Sequence, residues 1–361
     1  MTHVFVSGCY DILHAGHVQF FREARALGDF LTVSFASNDV LWNHKARRSS
    51  LPDDHKRALL ESLDMIDQVV LGEDPVDGLD FETHFRRLRP DLLAVTDDDK
   101  YELQKLALCA EVGARYVRLP KTPPQFQPVS TTSLVKWIRA PQEAPLRIDF
   151  GGGWLDVPRF AREGAFIVNV AISPTVSLRD WPYRRQSGLG GSGAWALLTG
   201  QDGVASELDL GVGWQDPAVV RETGLCVWRS GLRPSLEIKT DGAILRGRLA
   251  VLWTGVEHDT PGLADRGRDF DLIEAAGRAA RDAVWASSLE GLARGVAISY
   301  DMQMGEGMDP LPVVPGALAR KYCGGGFGGY AAFIFADPAD RDRFVATNPD
   351  AMVVEPFIRT E

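Results

Sequence analysis

The stretch that decides the fold runs from Gly8 to His17 and reads GCYDILHAGH. An apolar, β-branched run precedes it (HVFVS, 3–7) and an amphipathic one follows (VQFFREARAL, 18–27). Strand, glycine turn, paired histidines and helix, in that order, put His14 and His17 at a helix N-terminus. Free backbone N–H groups and the positive end of the helix dipole favour bound phosphate there. Imidazoles beside them can donate hydrogen bonds to phosphate oxygens as charge builds up in a transition state. Histidines three apart also serve as a metal half-site or as a plain solvated helix start, so the pair is read with its surroundings.

Working outward, apolar runs alternate with helical patterns as far as Pro120. Strands are predicted at 30–37, 66–71, 91–95 and 114–119, and helices at 53–63, 81–88 and 101–112. This βα order implies a parallel sheet, whose ligands sit beyond the carboxyl ends of the strands. The 361 residues leave room for a second domain. With 45% hydrophobic and 24% charged residues, the composition is that of a globular protein with real cores. A net charge of −10 argues against nonspecific nucleic-acid or anionic-membrane binding. The four cysteines lie far apart, with neither zinc-ligand nor disulfide spacing. No secretion signal or membrane span is legible, so the cytoplasm is the expected location.

The string G-x-[FY]-D-x-L-H-x-G-H after a first strand resembles the cytidylyltransferase-like nucleotidyltransferases. That superfamily includes glycerol-3-phosphate cytidylyltransferase and the transferase half of the ADP-heptose synthesis enzyme. The resemblance implies nucleotide contacts from Gly8, Cys9, Tyr10, Asp11 and Gly16 around His14 and His17. It implies that Lys45, in a loop after the second strand, reaches the triphosphate, and that Arg57 follows at a helix start. The segment VSTTSLVKWI (129–138) matches the start of the family's last helix, placing Ser130, Thr131 and Thr132 near the β- and γ-phosphates. Ser130 and Thr131 are equally natural helix caps. Asp11 either orients the histidines or a metal, or simply forms a turn. Where the family commonly has a glycine–acid pair, this chain has Thr96-Asp97-Asp98-Asp99; Asp98 keeps the acid without the glycine, leaving CTP or ATP open. The implied chemistry is displacement at the α-phosphorus by an acceptor phosphate oxygen, driven by positioning and charge stabilisation.

The proline-rich KTPPQFQP (121–128) is not regular structure, and a domain boundary is expected at 140/141. Beyond it come APLRIDFGGGWLDVP (144–158), GLGGSGA (188–194), WQD (214–216) and GGGFGG (324–329). Together these resemble the GHMP-type kinases, most closely the fucokinase and D-glycero-D-manno-heptose 7-phosphate kinase kind. The resemblance implies a phosphate-cradling loop of Gly188, Gly190, Gly191, Ser192 and Gly193. It implies Asp216 as the acid at the accepting sugar hydroxyl, and Arg147, Asp156, Gly325 and Gly326 around the sugar. It implies Ser192 as the Mg²⁺-side hydroxyl. The long helical segment that normally follows it and supplies the metal-holding acid is cut short here, leaving Glu207 as replacement, and Pro217 departs from the usual pattern. The strand-like run 249–254 precedes a helix at 270–292, and the methionine-rich 301–311 reads as a packing loop.

These readings give an α/β chain: a Rossmann-like doubly wound parallel sheet over 1–140, then an α+β GHMP-kinase-like domain over 141–361. The expected function is bifunctional sugar activation: an ATP-dependent sugar kinase, and nucleotidyl transfer from an NTP to a sugar phosphate, preferably heptose-like, using Mg²⁺. The alternative is a single-activity cytidylyltransferase of the glycerol-3-phosphate kind, whose second half binds sugar or holds a dimer. A nonenzymatic nucleotide-sugar sensor is the third reading. Homodimerisation through the first half is what the resemblance suggests.

Overall fold

The computed structural model describes residues 1–45, 48–120, 129–257 and 267–359; of Lys45 it describes the backbone alone. The run 121–128 lies outside the described residues. The chain divides into two compact units, Met1–Ile138 and Arg139–Glu361.

In the first unit the elements are β1 (His3–Gly8), α1 (Ala15–Arg25), β2 (Phe30–Ala36), α2 (Asn38–Lys45), α3 (Asp53–Glu61), β3 (Gln68–Gly72), α4 (Glu82–Leu88), β4 (Leu92–Thr96), α5 (Glu102–Val112), β5 (Arg115–Leu119) and α6 (Thr131–Ile138). The strands form one parallel sheet in the order β3-β2-β1-β4-β5. Alternate residues of β1 enter opposite cores: Val4 and Val6 pack with Phe21, Leu31 and Val33, whereas Phe5 packs with Phe81, Phe85 and Leu93. That two-sided burial is why these strands read as unbroken apolar runs. Strand order reverses between β1 and β4, so the loop carrying the histidines leaves the sheet at its switch point, where such folds bind ligands.

The second unit contains β6 (Ala144–Gly151), β7 (Phe166–Val176), α7 (Gly191–Leu198), α8 (Gly203–Asp209), α9 (Gln215–Glu222), β8 (Leu225–Arg229), β9 (Ser235–Thr240), β10 (Leu249–Trp253), α10 (Phe270–Trp285), α11 (Leu289–Gly305), β11 (Ala317–Tyr322), β12 (Tyr330–Phe335), α12 (Pro338–Thr347) and β13 (Ala351–Pro356). Its eight strands pair antiparallel in the path β11-β12-β10-β13-β7-β8-β9, with β6 beside β7. The main core lies between this sheet and the pair α10 and α11, where Ala280, Ala283, Val284, Leu292 and Val296 meet Ile148, Val170 and Val251. Among the described residues no helix is long and apolar enough to cross a membrane.

Three local expectations are corrected. Lys45 ends a helix, α2, instead of lying in a loop: the Ser37 hydroxyl accepts the Val40 N–H at 3.2 Å and starts the turn. The helix expected at 270–292 is two helices, because Ser287 sits at φ 52° and Ser288 caps the second by accepting the Gly291 N–H at 3.0 Å. The segment 301–311 begins as the last turn of α11, and it buries Met302 and Met308.

Candidate active sites

His14 is the N-cap residue of α1 and makes no capping bond through its ring. The rings of His14 and His17 stack at 3.8 Å between centroids, and Tyr10 meets His17 edge-on at 5.2 Å. Both Nδ1 atoms are buried without a hydrogen-bond partner among the described residues. Burial lowers the pKa of His14; it pulls His17 down to about 4, with His14 adding to the effect. At neutral pH both imidazoles are therefore neutral, each carrying one N–H. They are a neutral pair, not a cationic one.

The neighbouring residues hold this pair in place. Tyr10 has φ 41° and folds its ring back over the strand end, where a Cβ at Gly8 would lie 2.7 Å from it. Only glycine fits at position 8. Cys9 packs against Ala36, Val40 and Leu41. The ring of Tyr10 is buried against His17 and Phe21, so its side chain supports the histidines instead of touching a nucleotide. A Cβ at Gly16 would lie 3.1 Å from His14 Nδ1. Asp11 is fully buried and accepts hydrogen bonds from the Ser49 hydroxyl (2.7 Å) and the Ser50 N–H (2.6 Å). Of its alternatives the structure takes the structural one: Asp11 fastens the loop after α2 to the histidine motif.

Arg57 is corrected. Its guanidinium donates to the Val69 carbonyl at 3.2 Å, near the amino end of β3, lies over the Phe35 ring at 5.6 Å and comes within 3.8 Å of Glu61. The inward cation is Lys56, which is 1% exposed; it donates to Ala36 O at the carboxyl end of β2 (2.8 Å) and pairs with Asp53 (2.7 Å). The α3 turn puts successive residues about 100° apart, so the two reach different ends of the sheet: Lys56 the carboxyl end of β2, Arg57 the amino end of β3. The side chain of Lys45 lies outside the described residues. Ser130 caps α6 by accepting the Ser133 N–H at 3.1 Å, while the Thr131 hydroxyl reaches Ile12 O at 3.5 Å, bringing that helix start to the histidine loop. Thr132 follows it in the first turn of α6. Asp98 accepts the Thr96 hydroxyl at 2.7 Å beyond β4.

In the second unit the glycine-rich loop leads into α7, with Gly190 as N-cap at φ 74°. A Cβ there would lie 2.9 Å from Arg147 Cγ and 3.3 Å from Asp216, so the loop can approach them only as glycine. Arg147 grips Asp216 with two parallel bonds, Nε to Oδ1 at 2.6 Å and Nη2 to Oδ2 at 2.8 Å. Its Nη1 holds Gly188 O at 2.5 Å. Burial works against the charge of Arg147, but Asp216 and Asp149 outweigh it and hold its pKa raised. Ser192 is hydrogen-bonded to Glu207, whose pKa is raised by burial and by Asp216 against the pull of that bond. The open face thus presents the α7 N-terminus, Ser192, Glu207 and Asp216.

Asp156 is corrected as a sugar contact. Asp156 is 1% exposed; its carboxylate takes the Trp154 N–H (3.0 Å), the Gln215 N–H (3.1 Å) and the Gln215 amide (3.2 Å). It fixes the start of α9 one residue before Asp216, and burial pushes its pKa up to about 7. Gly325 lines a cavity of about 10 Å³ with Asp149, Gly153 and Lys321, room for a single water. A Cβ at Gly326 would collide with Met308 at 2.3 Å. Sequence reasoning missed Asp149 and Lys321, a buried ion pair. The available signal was a lysine on the inward, period-two face of β11 beside Ala319, and an acid within β6, where all eight residues are buried.

For Mg²⁺, no three His, Cys, Asp or Glu side chains are arranged as a metal cage among the described residues. Ser192 and Glu207 nevertheless fit the ion: Mg²⁺ is commonly held by one or two protein oxygens, with substrate phosphates and water completing its shell. Burial and Asp216 raise the pKa of Glu207, and a bound divalent cation would favour its ionised form.

A cytidylyltransferase-like family model matches residues 5–136. The chain is 35% identical over 124 residues to the FAD synthase of Aciduliprofundum boonei, covering 34% of this chain and 80% of that protein. It is 36% identical over 119 residues to the FAD synthase of Methanothrix thermoacetophila, covering 31% and 79%. This chain belongs to the cytidylyltransferase-like family. Membership rests on the first unit, a nucleotidyltransferase-like domain. Among solved structures, the chain is similar to a D-glycero-D-manno-heptose 1-phosphate kinase from Bacteroides thetaiotaomicron at 16% identity, covering 60% of this chain and 94% of that one, with a TM-score of 0.41. It is similar to a lipopolysaccharide core biosynthesis protein from Thermoplasma volcanium at 27% identity, covering 34% and 99%, with a TM-score of 0.31.

Proposed function

We propose that the first unit transfers a nucleotidyl group to a phosphorylated acceptor and that the second phosphorylates a sugar with ATP. The observation that carries the first part is the stacked, neutral His14–His17 pair at the start of α1, with both Nδ1 atoms buried and unpartnered among the described residues. An acceptor phosphate oxygen forms the new bond to the α-phosphorus, the bond to the bridging oxygen breaks, and pyrophosphate leaves with that electron pair. The imidazole N–H groups and the α1 amides take up the charge that develops on the phosphate oxygens. Lys56 and the loop fastened by Asp11 shape the carboxyl edge of the sheet beside them.

In the second unit, the sugar hydroxyl would face Asp216, held by Arg147, while the α7 amides meet the phosphates. Mg²⁺ held at Ser192 and Glu207 would screen the charge of the triphosphate. A heptose-like sugar phosphate is the preferred acceptor for the first unit. The curated relatives named FAD synthases favour a second reading, in which the acceptor is a flavin phosphate and the nucleotide ATP.

The test is a matrix of CTP and ATP against heptose phosphate, glycerol 3-phosphate and flavin mononucleotide, read by product mass and pyrophosphate. Product with a sugar phosphate supports the main reading, and product with the flavin alone replaces it by the second. Pyrophosphate release that survives His14→Ala with His17→Ala would defeat both.

A further inference from the structure

Behind Asp216 lies a row of charges that no motif accounts for. Lys321 is 2% exposed and donates to the Asp149 carbonyl at 3.1 Å, besides pairing with the Asp149 carboxylate. The other oxygen of Asp149 accepts the Gly324 N–H at 2.9 Å and lies 3.5 Å from Arg147 Nη1. Arg147 in turn grips Asp216 through Nε and Nη2. The order is cation, anion, cation, anion, and its first three members are almost wholly buried. Asp149 therefore stands between two cations, and Arg147 between two carboxylates.

That arrangement sets up a competition. A buried carboxylate without a neutralising cation is costly and draws in any cation within reach. Lys321 meets that demand at Asp149, which is why the acid stays ionised: burial works to raise its pKa, but Lys321 and Arg147 outweigh it and hold it low. Arg147 is then left with its Nε and Nη2 edge turned wholly to Asp216, and only a long contact to Asp149.

We propose that Asp149 and Lys321 are positioning residues, which act through Arg147 to keep the Asp216 carboxylate aimed at the open face of the α7 loop. The inference rests on the kinase reading of this site for its functional meaning, but its geometry is testable without activity. Lys321→Met leaves Asp149 with Arg147 as its one cation, so Arg147 turns towards it and its bonds to Asp216 weaken. Removing both charges, in Asp149→Asn with Lys321→Met, abolishes the competition and returns Arg147 to Asp216.

Two readouts on the full chain decide it. The first is the Arg147 Nε–H signal in a ¹⁵N–¹H spectrum, assigned by its loss in Arg147→Lys. It is expected to shift in Lys321→Met and to return towards the wild-type position in the double variant. The second is sugar phosphorylation: Lys321→Met is expected to lose about tenfold or more in kcat with the ATP KM little changed, and the double variant to recover part of that loss. A purely structural ion pair gives the reverse order, with the double variant no better than either single one. An unmoved Nε–H signal in a folded Lys321→Met protein, or a double variant no better than Lys321→Met, overturns the proposal. If wild type phosphorylates none of the sugars tried, the kinase reading fails and the Nε–H signal alone decides the positioning claim. If Lys321→Met does not fold, Lys321→Gln replaces it in both comparisons.

Discussion

The two candidate sites handle buried polar groups in opposite ways. In the first unit the paired imidazoles are neutral, and among the described residues the buried Nδ1 atoms of His14 and His17 have no partner at the open end of a parallel sheet. In the second unit the groups are charged and matched one to one, from Lys321 through Asp149 and Arg147 to Asp216. An unmet neutral polar group in a fold costs about 1–3 kcal/mol, far less than an unmet buried charge, which must be neutralised within the fold itself. On the proposed function the first site is completed by its substrate, whereas the charges of the second are already paired within the fold.

The largest expected effect tests the first half of that contrast. Replacing His14 and His17 together by Ala should lower nucleotidyl transfer by about 10³-fold or more, with the melting temperature lowered only by the lost ring packing, since no hydrogen bond among the described residues is lost at either Nδ1. Rates of pyrophosphate release and a thermal melt, taken side by side, check both clauses. Next comes Asp216→Asn, expected to cut sugar phosphorylation by about 10²-fold and also to destabilise the protein, because Arg147 is left buried with half its partner gone. An unchanged melting temperature there would break the comparison. Gly190→Ala should cost about 1–3 kcal/mol, as both its φ of 74° and the 2.9 Å approach to Arg147 forbid a side chain; denaturant unfolding measures it.

The smallest effect concerns pH. His17 has its pKa lowered from 6.5 to about 4 in the folded protein, so the unfolded chain binds the proton more tightly. Its contribution to stability is whole above about pH 6.5 and is lost as pH falls towards 4. Melting temperatures should therefore drop less between pH 7 and pH 5 in His17→Asn than in the wild type. Equal slopes would mean that His17 is not buried neutral, and the first site would then resemble the second.

How much of this was legible follows from range. The first sheet, the histidine turn and the glycine loop were readable because each is written in contiguous residues with their own period or turn chemistry. Ser287 and its break in the long helical pattern were not, since serine at positive φ leaves no mark in an alanine-rich run. The choice between Lys56 and Arg57 was missed for a related reason. Both are basic, and only the packing of α3 on β2 decides which of them is turned inward.

By itself the sequence determined the βα order, the place of the histidine and glycine turns and the family of the first unit, all carried by local patterns of a few residues. Only the tertiary structure decided that Asp11 and Asp156 work from behind their sites, and that Asp149 meets Lys321 across 172 positions of chain. The reason is physical: whether a charged side chain touches a ligand or a partner depends on what the rest of the fold brings within about 3 Å of it. No local period encodes that.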